Sequence, residues 1–214
     1  EIEKVIGETT GDRGRQSQLS ELGGQGVFVK EVQIAVIEGR ADFAVHSAKD
    51  LPPVSPDGLE LVAFPERADP RDVLIGNRWE ELPSQACIAT GSIRRQAHLA
   101  HLRPDLRFEG LRGNIETRLK KAELYDGIIM AKAALDRLGL SPKIVDVFDS
   151  AVLLPQVGQG ALAIECRVED PDVSALLSKI DHPDTHRAVT AERAFLSKLG
   201  SGCDLPIAAH AVIE

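Results

Sequence analysis

Three groups of residues in this sequence are of types and spacings that could do chemistry. Lys49 and Asp50 close the stretch DFAVHSAKDLP, Asp42 to Pro52, just after the alternating run Phe43-Ala44-Val45. A carboxylate beside a cation at the carboxyl end of a buried strand is placed where open α/β sheets bind ligands. Taken alone, those eleven residues read more simply as a strand-to-loop turn carrying a surface ion pair. The second group is TGSIRRQAHL, Thr90 to Leu99. Two arginines in the first turn of a helix oppose the partial positive charge of its amino end. An anion there, held by backbone N–H groups, the Thr90 and Ser92 hydroxyls, Arg94 and Arg95, would remove the conflict; a solvated basic face is the competing reading. Arg112 and Arg118 favour the anion site, with Arg112 and Thr90 expected as neighbours at adjacent strand ends. The third is Cys203, between Gly202 and Asp204 on a loop, where a thiol is expected to be exposed. Asp204 would disfavour the thiolate and no histidine partners it, so a hydrolytic nucleophile is unconvincing and a chance free thiol stays open.

These groups need elements to position them. The first residues, EIEKVI, alternate like a strand, and Gly7 to Gly26 reads as a mobile loop. Val27 to Glu38 has helical spacing and Leu59 to Phe64 is strand-like. The polar run PERADPRD then reads as a crossing into a second domain. There the spacing predicts strands at Cys87–Ala89, Leu106–Leu111 and Gly127–Ala131, and helices over 92–102, 115–122 (capped by Asn114) and 132–138. Strand alternating with short helix predicts a parallel sheet flanked by helices. LLPQVGQGALAIECR, from Leu153, reads as the return crossing, a hinge with Gln159 reaching a ligand. Helices over 173–180 and 185–199 and a strand over 205–213 follow.

Composition bounds the function. The 214 residues are 43% hydrophobic and 27% charged, enough for one or two real cores. A net charge of −8 with 4% aromatic residues argues against nucleic-acid binding. Thr90 to Lys121 nevertheless carries +5, leaving −13 elsewhere, a pattern that suits a pocket for small anions. No window reaches the ~18 apolar residues of a membrane span. Three scattered cysteines suit a reducing compartment rather than a disulfide framework or zinc knuckle, with Cys87 and Cys166 as core residues. The histidines lack metal-ligand spacing, and there is no phosphate-binding Walker loop.

In order along the chain, GGQGVFVKE, ADFAVHSAKDLP, ERADPRD, ATGSIRRQAHL, LRGNIETRL, LDRLGL, LPQVGQGALAIECR and ERAFLSKLGSGCDLPI closely resemble the porphobilinogen deaminase family. The resemblance implies an α/β protein with two lobes like type II periplasmic binding proteins, plus the start of a small α+β third domain. It places domain 1 at residues 1–66 and 155–181, domain 2 at 67–154 and the start of domain 3 at 182–214. It implies head-to-tail condensation of four porphobilinogen molecules into hydroxymethylbilane with release of ammonia, a transferase reaction of tetrapyrrole and heme biosynthesis. The growing chain is anchored on a dipyrromethane cofactor in thioether linkage to Cys203, an attachment point rather than a turnover nucleophile. Asp50 becomes the catalytic carboxylate. Ser47, Lys49, Thr90, Ser92, Arg94, Arg95, Arg112 and Gln159 become the cofactor cradle, with Arg112, Arg118 and Arg137 holding substrate carboxylates. No metal, nucleic acid or membrane is expected. A cytoplasmic monomer is, although an organelle-targeting segment removed beforehand is compatible with the sequence.

The chain departs from the family pattern in three ways. The family's first strand, with its substrate-contacting arginine and serine, has no counterpart, most of domain 3 is absent, and Gln25 stands where a lysine is frequent. The expectation is that the 214-residue chain alone does not turn over porphobilinogen. A non-catalytic two-lobed anion-binding module is the alternative, and a thiol-dependent redox or transferase protein built on Cys203 a third reading.

Overall fold

The computed structural model describes Glu3, residues 26–200 and residues 205–214. The expected opening strand, most of the loop over 7–26, Gln25 and Cys203 lie outside the described residues.

Helix α1, Gly26–Ile37, buries Val29, Gln33 and Val36 along one face, the spacing of an amphipathic helix. It covers a three-stranded antiparallel sheet of β1 (Phe43–Ser47), β2 (Leu59–Ala63) and β8 (Leu162–Arg167), in the order β1-β8-β2. The central strand is thus the last to arrive, and Val45 of β1 pairs with Ile164. Between β2 and β8 the chain leaves to build a second sheet.

That sheet has the order β5-β4-β6-β3-β7, from β3 (Asp72–Gly76), β4 (Cys87–Ala89), β5 (Arg107–Glu109), β6 (Gly127–Ala131) and β7 (Asp146–Val147). Only β4, β5 and β6 are parallel, the strands linked by α2 (Ile93–Leu102) and α3 (Ile115–Lys121). The expected parallel sheet is therefore mixed: β3 and β7 enter antiparallel. Strand β3 was hidden at the end of the polar run ERADPRD, and its first residue is a buried aspartate rather than an apolar one. Helix starts follow capping rules: Ser92 Oγ accepts from the Arg95 N–H, and Asn114 Oδ1 from the Thr117 N–H at 2.8 Å. Helix α4, Lys132–Arg137, ends before Gly139, whose φ is +67°. Helices α5 (Pro171–Leu177) and α6 (Pro183–Lys198) follow β8. The strand expected over 205–213 is not formed; those residues run without regular structure.

The two crossings touch: the Ala68 N–H donates to the Gly160 carbonyl at 3.2 Å. Gly160 has φ +86°, and a Cβ there would sit 2.5 Å from the Ala68 oxygen. Gly39 also has positive φ (+71°) but faces open space. Gly160→Ala should therefore destabilise the chain by at least about 2 kcal/mol more than Gly39→Ala in urea unfolding; equal costs would show that the crossings do not pack so closely.

Candidate functional site

Strand β1 ends in a 3-10 turn, Ala48–Asp50, that buries Ala48 and leaves Lys49 and Asp50 half-buried at the sheet edge. The turn is held from across the return crossing: the Ala48 N–H donates to Ala161 O, and Gln156 Nε2 to Lys49 O at 3.2 Å. Gly158, with φ +69°, lies so close that a Cβ would stand 3.0 Å from Ala48 and the Lys49 nitrogen. Burial, reinforced by Arg95, pushes Lys49 down to about 8 despite Asp50 and Asp72. Burial raises the Asp50 carboxyl above its ordinary value, against the pull of Lys49, Arg118 and His46. The two neighbours are thus both driven toward neutrality by the same desolvation.

Arg94 and Arg95 are buried, and the anion between them is part of the protein. Arg94 Nη2 donates to Asp72 Oδ2 and Arg95 Nη2 to Asp72 Oδ1, each at 2.7 Å. Arg94 Nη1 reaches Leu154 O at 2.5 Å and Arg95 Nη1 reaches Ile129 O at 3.2 Å. Asp72 is fully buried. Burial alone would raise its carboxyl, but the two guanidinium groups overcome that and hold it at about 2. The two hydroxyls expected beside the arginines make local contacts within the chain. Ser92 Oγ caps its own helix, and the buried Thr90 Oγ1 accepts from the Ser92 N–H at 3.3 Å.

Gln159 is also fully buried and bridges the two groups. Its Nε2 donates to Asp72 Oδ1 at 2.8 Å and Pro70 O at 2.6 Å, while Lys49 Nζ makes a long contact of 3.5 Å to its Oε1. Arg118, whose Nε donates to Gly113 O at 2.7 Å, is close enough to both Arg95 and Asp50 to feel each charge. The structure therefore gathers Lys49, Asp50, Arg94, Arg95, Arg118 and Gln159 around Asp72. Ser47 ends β1 next to them. The loop holding Arg112 lies against Gly91, where a Cβ would meet Leu111 O at 2.8 Å, but the Arg112 side chain is exposed. Exposed Arg137 sits at the crossing, one amino group donating to Gly160 O at 3.1 Å.

Sequence reasoning missed Asp72 and a second buried carboxylate, Glu192. In α6, Glu192 accepts from Arg67 Nη1 at 2.6 Å and Nη2 at 3.2 Å, from the Gly158 N–H at 2.7 Å and from the Ala211 N–H at 2.8 Å. Arg67 itself donates through Nε to Gln159 O and through its backbone to Thr185 Oγ1. One carboxylate thus ties the outgoing crossing, the return crossing, α6 and the segment that follows the Cys203 loop. Burial opposes its ionisation, but contacts with His210 and Arg67 lower its proton affinity below the ordinary range. The signal available in sequence was its place on the inner face of α6, three and four residues beyond Val189 and Ala188.

The dipyrromethane implied by the family resemblance is rich in carboxylates, and the donors suit it. The Nε groups of Arg94 and Arg95 are buried without a hydrogen-bond partner among the described residues. Lys49, Arg94, Arg95 and Arg118 lie among Asp50 and Asp72, four cationic side chains to two acidic ones in this cluster. Among the described residues no group of acidic, histidine or cysteine side chains could hold a metal ion, and no helix is long and apolar enough to cross a membrane.

A family described as porphobilinogen deaminase, dipyromethane cofactor binding domain, matches residues 1–175, and its C-terminal domain matches residues 186–214. A porphobilinogen deaminase of Pelobacter propionicus is 46% identical over 96% of this chain and 68% of its own length. One of Brevibacillus brevis is 45% identical over 100% of this chain and 70% of its own. Among solved structures, a nutrient binding protein of Burkholderia cenocepacia bound to methionine aligns over 79% of this chain and 80% of its own, at 13% identity and a TM-score of 0.46.

Removing the arginine from the Glu192 junction leaves a buried charge without its bidentate partner. Arg67→Met should cost about 3 kcal/mol or more in urea unfolding, and adding Glu192→Gln should recover part of it. Strictly additive effects in that double-mutant cycle would show that the two side chains are not coupled.

Proposed function

The chain belongs to the porphobilinogen deaminase family, and from that premise we propose that Asp50 is its catalytic carboxylate. The family's reaction joins porphobilinogen units head to tail with loss of ammonia, a transferase step of tetrapyrrole and heme biosynthesis, on a dipyrromethane cofactor. The observation that carries the assignment is the setting of Asp50, half-buried at the end of β1 among Lys49, Arg118 and His46. Its raised proton affinity suits a group that gives a proton to the departing amine and then, ionised, faces the cation left on the pyrrole. Lys49 and Arg118 limit that rise, so the carboxylate form is regained after each transfer.

The remaining assignments rest on charge and position. Bound through Cys203, the dipyrromethane supplies the anchored end to which substrate units are joined. Arg94, Arg95 and Lys49, with Ser47, Thr90, Ser92, Arg112 and Gln159, would hold it, and Arg112, Arg118 and Arg137 would hold the acetate and propionate groups of substrate. The two sheets support a division into domain 1 (1–66 and 155–181) and domain 2 (67–154), with domain 3 starting at 182. The family resemblance suits a cytoplasmic monomer, and the −8 net charge and scarce aromatic residues disfavour nucleic-acid binding. A pure anion-binding module is disfavoured, because it has no use for a half-buried carboxylate of raised proton affinity among cations.

Two measurements test this. Intact mass of protein made in cells should show an adduct of two linked pyrrole units, absent from Cys203→Ser; an unmodified Cys203 in folded protein would contradict the tether. In a version extended to the length of its relatives, Asp50→Asn should lower porphobilinogen consumption by at least about 100-fold with an unchanged melting temperature, and near-normal turnover would sink the role given to Asp50. Because burial raises Asp50, the activity that needs its ionised form should fade, as pH drops, already above the ordinary carboxylate range.

A further inference from the structure

The assigned site has an arm that holds anions, Arg94 and Arg95, and an arm that handles protons, Lys49 and Asp50. The first lies on a helix of one sheet's lobe and the second on a turn at the edge of the other sheet, and Asp72 and Gln159 join them by direct polar contacts. We propose that Asp72 and Gln159 are positioning residues that couple the two arms through one shared buried carboxylate. The proposal rests on the reading of Lys49 and Asp50 given above.

The geometry has three parts. Asp72 starts β3 and spends one oxygen on each arginine, which fixes both guanidinium planes under the first turn of α2. The same Oδ1 that takes Arg95 also takes Gln159 Nε2 at 2.8 Å, and the Pro70 carbonyl takes a second bond from that amide at 2.6 Å. With its amide nitrogen so occupied, the Gln159 oxygen is directed to the Lys49 ammonium. The orientation of this amide is therefore set on one side by a carboxylate and matched on the other to a cation. A glutamine side chain is suited to such a bridge, since it donates at one end and accepts at the other.

The charges around Lys49 make the coupling measurable. Arg94 and Arg95 act against its protonated form, and Asp50 and Asp72 act for it. Arg118 and His46 act on the neighbouring Asp50. Among these groups Asp72 alone is bonded to both arginines, so it screens Lys49 from the pair while holding the pair in place. Neutralising Asp72 should leave both arginines acting on Lys49 with less opposition.

Heteronuclear NMR titration of the Lys49 side chain, in the chain without substrate, tests this. The unaltered chain should show a midpoint near 8. Asp72→Asn should lower that midpoint by about one unit, and Gln159→Leu should lower it by less. An unmoved midpoint in folded Asp72→Asn overturns the proposal. Should Asp72→Asn lose its cooperative melt, Gln159→Leu, which leaves the arginine pairs with Asp72 in place, decides by the same midpoint, and an unmoved value there overturns the coupling. A merely structural role would lower the melting temperature of both variants without moving the titration. The titration is read without porphobilinogen, so it is independent of whether Asp50→Asn abolishes turnover.

Discussion

The fold depends most on a single buried carboxylate. Asp72 is sealed from solvent at the first position of β3, yet it sits between two arginines that would otherwise burden the amino end of α2. Either element alone is unfavourable: an isolated buried carboxylate is costly, and so is a pair of adjacent buried guanidinium groups. Together, with the Leu154 and Ile129 carbonyls and the Gln159 amide, most of their hydrogen-bonding capacity is used. Strand β3, helix α2 and Gln159 are thereby held by one charge.

That arrangement explains the opposed shifts at the motif loop. Desolvation is the largest influence on both Lys49 and Asp50, driving the first down and the second up. Removal from water disfavours the charged form of either group, so it acts in opposite directions on an acid and a base. Arg94, Arg95 and Asp72 act on Lys49, whereas Arg118 and His46 act on Asp50. An exposed Lys–Asp pair on an ordinary turn, the simplest reading of DFAVHSAKDLP, would have no such dependence.

Much of this was legible in the residues. Alternation and capping residues located β1, β4, β6, α2 and α3 within a residue or two, because Ser92, Asn114 and Gly139 act locally. The basic surplus from Thr90 to Lys121 marked the segment that carries Arg94, Arg95 and Arg118. What stayed hidden was long-range. Asp72 lies 22 residues from Arg94 and 87 from Gln159, and nothing near it in sequence says that its run, DVLIG, is buried on both faces. The antiparallel entry of β3 and β7 was hidden for the same reason: the strand–helix rhythm describes only neighbours in sequence. Residues 205–213 alternate like a strand but run without regular structure, held at Ala211 by a side chain rather than by a ladder.

The way the two sheets are joined has a physical consequence. Each hydrophobic cluster among the described residues belongs to one sheet and its helices: Leu74, Ile88, Leu99 and Ile129 in one, Phe64, Ala163 and Val189 in another. None contains buried residues from both sheets. The joint is instead polar, made by Arg67, Gln159, Arg137 and Asp72 reaching backbone carbonyls and carboxylates. Water can replace such bonds one at a time, whereas an apolar interface loses its burial all at once. Glu192 adds to this joint by holding both crossings to α6, so the two sheets are tied through hydrogen bonds and ion pairs rather than through a shared apolar core.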